Sequence, residues 1–232
     1  MENKQTLSLE CLSAYKTKLF AIFSSYIQEN NIVIDVNEIT LEVDKKNLII
    51  VSQTLKTHPE LCFESLLDIS AVDYLHYGIS EWETTKATGR GFDRAVDSIK
   101  KPEAAWNKPR FALSYHLLSI HHNRRLRLKV FLDDAPPMIE SVVSIWPSAN
   151  WYEREAFDLF GILFEHHPDL RRILTDYGFI GHPFRKDFPL SGHVEVRYDA
   201  ASQRVIYEPV DIVPRILVPK VIREKRREEP NV

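Results

Sequence analysis

The sequence predicts an α+β fold: a mixed or antiparallel sheet with helices packed on it, followed by an extended C-terminal arm. Three observations carry that expectation. Apolar residues recur at helical spacing near the N-terminus and again after Trp151, at least four β-rich runs lie between, and no regular strand–helix–strand alternation links them. The chain has 232 residues, 44% hydrophobic and 27% charged, enough for one substantial domain with appendages.

The elements follow in order. Leu12, Tyr15, Leu19, Ile22, Phe23, Tyr26 and Ile27 mark an amphipathic helix over Leu9–Ile27. Ile39–Val43 alternates and Asn47–Ser52 is β-rich, with turn residues Asp44-Lys-Lys-Asn between, which predicts a hairpin. His58-Pro59 predicts the start of a second helix carrying Leu61, Phe63, Leu66 and Leu67. Ala71–Tyr77 has strand character. Residues 78–109 hold no sustained period and read as an exposed excursion; their Gly89-x-Gly91 is no dinucleotide fingerprint.

Phe111–Ile120 and Arg125–Leu132 are strands joined by a turn at His121-His-Asn123. In the second, Leu126, Leu128, Val130 and Leu132 alternate with Arg125, Arg127, Lys129 and Phe131, so one face is buried and the other is basic and solvated. Asn150 predicts an N-cap, with Glu153 completing a capping box and Glu155 beside it in the first turn. Arg154 and Asp158 stand four apart as a supportive pair, and Gly161 ends the helix. Pro209, Pro214 and Pro219 punctuate the stretch from Val194 to Val221, and charge dominates after Arg223. The expected organisation is an α+β domain over 1–190 and an extended arm over 191–232, disordered at its end.

Composition excludes several functions. A net charge of −3 offers no field for a phosphate backbone, so nucleic acid is not a partner. No apolar run reaches the roughly 18 residues that a membrane helix needs, and the N-terminus matches neither a secretory signal nor a transit peptide. Two cysteines, Cys11 and Cys62, fit a reducing compartment and are too few for an iron–sulfur cluster, which normally takes about four thiolates.

The crowded segment is Trp151–Arg172, continued by Gly181-His-Pro-Phe-Arg-Lys-Asp187. A metal-assisted hydrolase using His166, His167, His182 and Asp169 is chemically conceivable, but the two adjacent histidines diverge on any regular element. Glu153 and Glu155, two apart on a helix, make a poor acid–base pair. No nucleophile elbow or P-loop is present. Arginines, aromatics and histidines on a proline-punctuated loop fit an interface better than a catalytic centre.

The run Glu153-Arg-Glu155-x-x-Asp158-Leu-Phe-Gly-Ile162, then His167-Pro-Asp-Leu-Arg-Arg-Ile-Leu174, then Gly181-His-Pro-x-Arg-Lys-Asp-Phe-Pro-Leu190 resembles the signature of the 30 kDa subunit family of respiratory complex I. Ser144–Trp151, Arg204–Pro209 and Val72-Asp-Tyr74 are similar to it as well, so the likeness spans roughly Ile32 to Pro209. The resemblance implies a cofactor-free structural subunit of the peripheral arm of a proton-translocating NADH:quinone oxidoreductase, with FMN and iron–sulfur clusters on partner subunits. Its implied partners are the large quinone-site subunit and other peripheral-arm subunits, with no direct membrane insertion. The implied location is the cytoplasmic side of a bacterial inner membrane, as a peripheral protein. A related subunit of membrane-bound nickel–iron hydrogenases is the alternative. The residues expected at the partner interface are Glu153, Arg154, Glu155, Asp158, His167, Arg171, Arg172, His182, Arg185, Lys186 and Asp187. On that expectation Arg185→Ala weakens assembly and leaves the melting temperature of the isolated domain nearly unchanged.

Overall fold

The computed structural model describes residues 2–75, 77, 83–87, 94–97, 106–132 and 136–211. It divides into two compact units: Met1–Leu75 with Lys108–Phe188, and His76–Asn107 with Pro189–Val232.

The first unit is built on a mixed sheet of five strands. Its strands are β1 (Ile32–Asp35), β2 (Glu38–Glu42), β3 (Ser65–Asp73), β6 (Phe111–Ser119) and β7 (Arg124–Leu132), in the order β1-β2-β7-β6-β3. The β2–β7 pair is parallel and the other neighbours are antiparallel. Three helices accompany it: α1 (Glu2–Phe23), α2 (Leu48–Thr57) and α3 (Ala149–Phe160). Tyr15, Leu19 and Phe23, one turn apart on α1, are buried in the same core as Leu113, Tyr115 and Leu117 of β6 and the even-numbered apolar residues of β7. The basic residues of β7 spend their charge on neighbours: Arg127 pairs with Glu38 at 2.8 Å, and Lys129 donates to the Tyr74 hydroxyl at 2.7 Å.

Several local expectations are corrected. Asn47–Ser52 is not the second strand of a hairpin; Leu48–Thr57 is helix α2, because Leu48, Val51, Ser52 and Leu55 place their buried groups on one face at helical period. The hairpin is β1–β2 instead, turned by Val36 and Asn37 at φ 47° and 60°. His58 closes α2 rather than opening a helix, and strand β3 already begins at Ser65. Proline after the helix end fits a stop as well as a start, and tertiary pairing with β6 decides. The N-terminal helix ends at Phe23, short of Ile27.

At α3 the cap residue is Ser148, so Asn150 and Glu153 form no capping box. Within the excursion, β4 (Glu83–Ala87) and β5 (Arg94–Asp97) pair antiparallel; the rest of 78–105 lies outside the described residues. Short strands β8 (Met138–Glu140) and β9 (Leu163–Glu165) run parallel on either side of α3 in sequence. In the second unit, β10 (Val194–Asp199) and β11 (Arg204–Pro209), within the segment expected as an extended arm, form an antiparallel hairpin. Residues 212–232, where disorder is expected after Arg223, lie outside the described residues.

Candidate functional site

The signature segment builds a loop clamped to the end of α3. A helix leaves its last carbonyls without intrahelical donors. Here Phe157 O accepts from the Gly161 amide (2.9 Å), Asp158 O pairs with His182 Nδ1 (2.9 Å), Leu159 O accepts from the Phe184 amide (3.1 Å), and Phe160 O accepts from Arg185 Nε (2.5 Å). The guanidinium also meets the negative end of the helix dipole. Gly161 turns the chain at φ 72°, a conformation glycine adopts without strain.

Asp158 fixes the other half of the loop. Its fully buried carboxylate accepts the amides of Ile173 (3.0 Å), Leu174 (2.7 Å) and Thr175 (2.9 Å) and the Thr175 hydroxyl (2.5 Å). Burial would raise its pKa, but those hydrogen bonds together hold it below the ordinary value. Arg172 then ties the turn together, donating to Phe179 O (3.2 Å) and Gly181 O (3.0 Å). The expected Arg154–Asp158 pair does not form; Arg154 instead lies 3.4 Å from Asp169.

The loop's far end is tied to the sheet. Asp73 closes β3 and receives Arg110 bidentately at 2.8 and 2.7 Å, together with the Lys186 amide at 2.8 Å. The same guanidinium reaches Asp187 at 3.0 Å. Asp187 is held below the ordinary carboxylate range chiefly by Arg110, and at Asp73 the Arg110 and amide donors outweigh burial.

A second buried centre lies at the start of α3. Glu153 is wholly buried and accepts from the Ser141 hydroxyl (2.6 Å) and the Val142 amide (2.8 Å). Burial pushes its pKa up to about 7 against those two donors. His167, its side chain also enclosed, lies 3.9 Å from Glu153, with Nε2 3.3 Å from Asn150 O and Nδ1 accepting the Asp169 amide at 3.1 Å. Burial lowers its pKa, so the ring is neutral near pH 7.

The histidines proposed for hydrolysis are not brought together. His166 is exposed on Glu140, His167 faces Asn150, and His182 caps Asp158. Among the described residues no group of three or more His, Cys, Asp or Glu side chains is placed to hold a metal. Of the residues expected at an interface, Glu153, Asp158, Arg172, His182 and Arg185 direct polar atoms into the chain. Glu155, Arg171, Lys186 and Asp187 stand at the surface.

The sequence reading missed what the loop displays. Leu174, Tyr177, Ile180 and Phe184 are 60%, 109%, 86% and 57% exposed on a frame held by the bonds above. The available signal was apolar residues in a glycine- and proline-punctuated segment with no period to bury them. In the second unit, register places Val194, Val196, Tyr198, Val205, Tyr207 and Pro209 on one face of the β10–β11 hairpin. The five non-proline members are exposed.

The profile of the family described as "Respiratory-chain NADH dehydrogenase, 30 Kd subunit" matches residues 41–194. A relative from Coxiella burnetii (strain RSA 331 / Henzerling II), which bears the name of a subunit of NADH-quinone oxidoreductase, is 56% identical over 208 residues, covering 89% of this chain and 91% of its own. A Legionella pneumophila (strain Corby) relative of the same name is 59% identical over 190 residues, covering 82% and 84%. Among solved structures, a chain of the membrane-bound sulfane sulfur reductase, described as an archaeal respiratory membrane complex, shares the fold at TM-score 0.52 and 20% identity, over 77% of this chain and 85% of that one. The trypsin-resistant fragment (1–134) of Nqo5 aligns at TM-score 0.45 and 24% identity, over 70% and 99%. With its signature spent on one clamped loop and most of its length matched, the chain belongs to the family of the 30 kDa subunit of respiratory-chain NADH dehydrogenase.

Proposed function

We propose that the chain is a structural, non-catalytic subunit of the peripheral arm of a proton-translocating NADH:quinone oxidoreductase, and that it works by presenting rigid surfaces to neighbouring subunits. The observation that carries this reading is the clamped loop, with polar signature residues turned inward and Leu174, Tyr177, Ile180 and Phe184 turned outward. Exposed apolar groups on a pre-organised frame suit association with a polypeptide, because little conformational entropy is lost on docking. Arg171 and Lys186, exposed on the same segment, supply charge at the surface.

The apolar face of the hairpin is a second docking element. An isolated pair of strands is marginally stable in water and gains from a partner surface. In this reading the large quinone-site subunit receives the loop and hairpin, while FMN and iron–sulfur clusters reside on partners and none on this chain. The subunit lies on the cytoplasmic side of the inner membrane. No described helix is long and apolar enough to cross a membrane.

A native gel stained for NADH dehydrogenase activity tests the reading. The tagged full chain should co-migrate with that activity, and Ile180→Glu combined with Leu174→Glu should abolish co-migration while sparing the melting temperature. A purified chain that carries a stoichiometric redox centre or turns over substrate alone would overturn it.

A further inference from the structure

The outer edge of β3 borders the clamped loop at Phe184 and has no strand beside it among the described residues. Backbone direction follows from one bond: the Val43 amide donates to Lys129 O at 2.9 Å, so the Lys129 backbone faces β2. Backbone groups alternate along a strand, so Leu128 and Val130 face β6. Through the register Leu113↔Val130 and Ser114↔Ser70, Ser70 and Val72 face β6, while the N–H and C=O of Ile69 and Ala71 point away from the sheet. A register shift between Leu66 and Asp68 reverses the alternation at the start of the strand, so Leu66 O is turned outward and is reached by the Ser148 hydroxyl at 3.2 Å. Among the described residues no strand pairs with that outer edge.

The edge is flanked by a groove of about 190 Å³ between β3 and α3, whose lining includes Asp68, Ser70, Glu155, Leu159, Phe160 and Phe184. Long open edges are liabilities that proteins blunt with lysine, proline or brevity. At the sheet's opposite border β1 has 4 residues, whereas β3 has 9 with neither lysine nor proline, and its bulge lies between Leu66 and Asp68, before the open stretch at Ile69 and Ala71.

We propose that β3 accepts an extended strand from a partner subunit by β-augmentation at Ile69 and Ala71. The added strand sets alternate apolar side chains into the groove against Leu159, Phe160 and Phe184, and a Lys or Arg beside Asp68 and Glu155. Backbone pairing supplies the affinity and the acidic rim selects a basic strand over an acidic one. The proposal rests on the reading that this chain is built into a larger assembly, and it names one contact within it.

Amide hydrogen exchange of the full-length chain, free and within the purified oxidoreductase, is the test. The Ile69 and Ala71 amides should exchange at least about tenfold more slowly in the assembly. Ala71→Pro removes an outward N–H without touching the β6 ladder, so it should fold yet reduce recovered complex severalfold. If that variant unfolds, Asp68→Lys with Glu155→Lys carries the same expectation. Amides equally exposed in both states would overturn the proposal. So would protection in the dilute free chain, which would assign the edge to another segment of this chain, or protection growing with its concentration, which would assign it to a second copy. Failure of the wild-type chain to assemble at all would instead remove the proposed function.

Discussion

Gly161 and Arg185 approach so closely that a β-carbon on Gly161 would lie 2.5 Å from Arg185 Nη2, and equally close to His182 Nε2. The loop can seal the helix end only because that side chain is missing. Gly161→Ala combines a positive φ with this clash and should cost about 2–4 kcal/mol. Thermal denaturation of the isolated chain checks it; an unchanged midpoint would mean that the clamp is not closed in solution.

Asp158→Asn keeps the shape and removes the charge, leaving an amide NH₂ among donors. A loss of about 2–4 kcal/mol is expected in denaturant titration. Because the pKa values of Asp158, Asp73 and Asp187 lie below 3.8, their stabilisation is complete above that value and is lost as pH falls through their folded pKa values. Acid unfolding of the variant should therefore be shallower than that of the wild type.

Glu153 has the opposite sign. Its folded pKa of about 7 exceeds the ordinary 4.5, so the native state holds a proton that the unfolded chain has released. That contribution is full below pH 4.5 and is lost as pH rises to about 7. Glu153→Gln should flatten the decline in a pH series of melting curves. An identical slope in both proteins would place the carboxyl in contact with water.

Arg185 is bound to Phe160 O and stacked over Phe111 at 5.2 Å, so Arg185→Ala should lower the melting temperature as well as assembly. A cost of about 1–3 kcal/mol is expected. Ile180→Ser and Leu174→Ser should do the reverse, reducing recovered complex with the midpoint unchanged. Equal behaviour of the two groups would erase the division between residues that hold the loop and residues that dock.

Much of the frame was legible in the sequence. Strand β7 announced itself because Leu126, Leu128, Val130 and Leu132 fall on every second position, a pattern with only one burial solution, and Gly161 marked the helix end. Leu48–Thr57 misled because it opens on Leu-Ile-Ile-Val, β-rich by type, while the helical period emerges only over the whole segment. Glu153 misled differently. Its spacing from Asn150 satisfies a capping box, but the donors that claim it, Ser141 and Val142, come from before the helix. Local pattern cannot see them.

The sequence by itself determined the alternating strand β7, the amphipathic helices α1 and α3, the poverty in cysteine and the membership that the signature announces. Those are properties of short windows and of residue identity. The tertiary structure alone decided which way each signature side chain points. Asp158 meets amides fifteen to seventeen positions away, and Asp73 receives the Lys186 amide from 113 positions away. Such bonds exist only once the sheet has brought distant segments together, so charge at the surface and charge locked inside look identical along the chain.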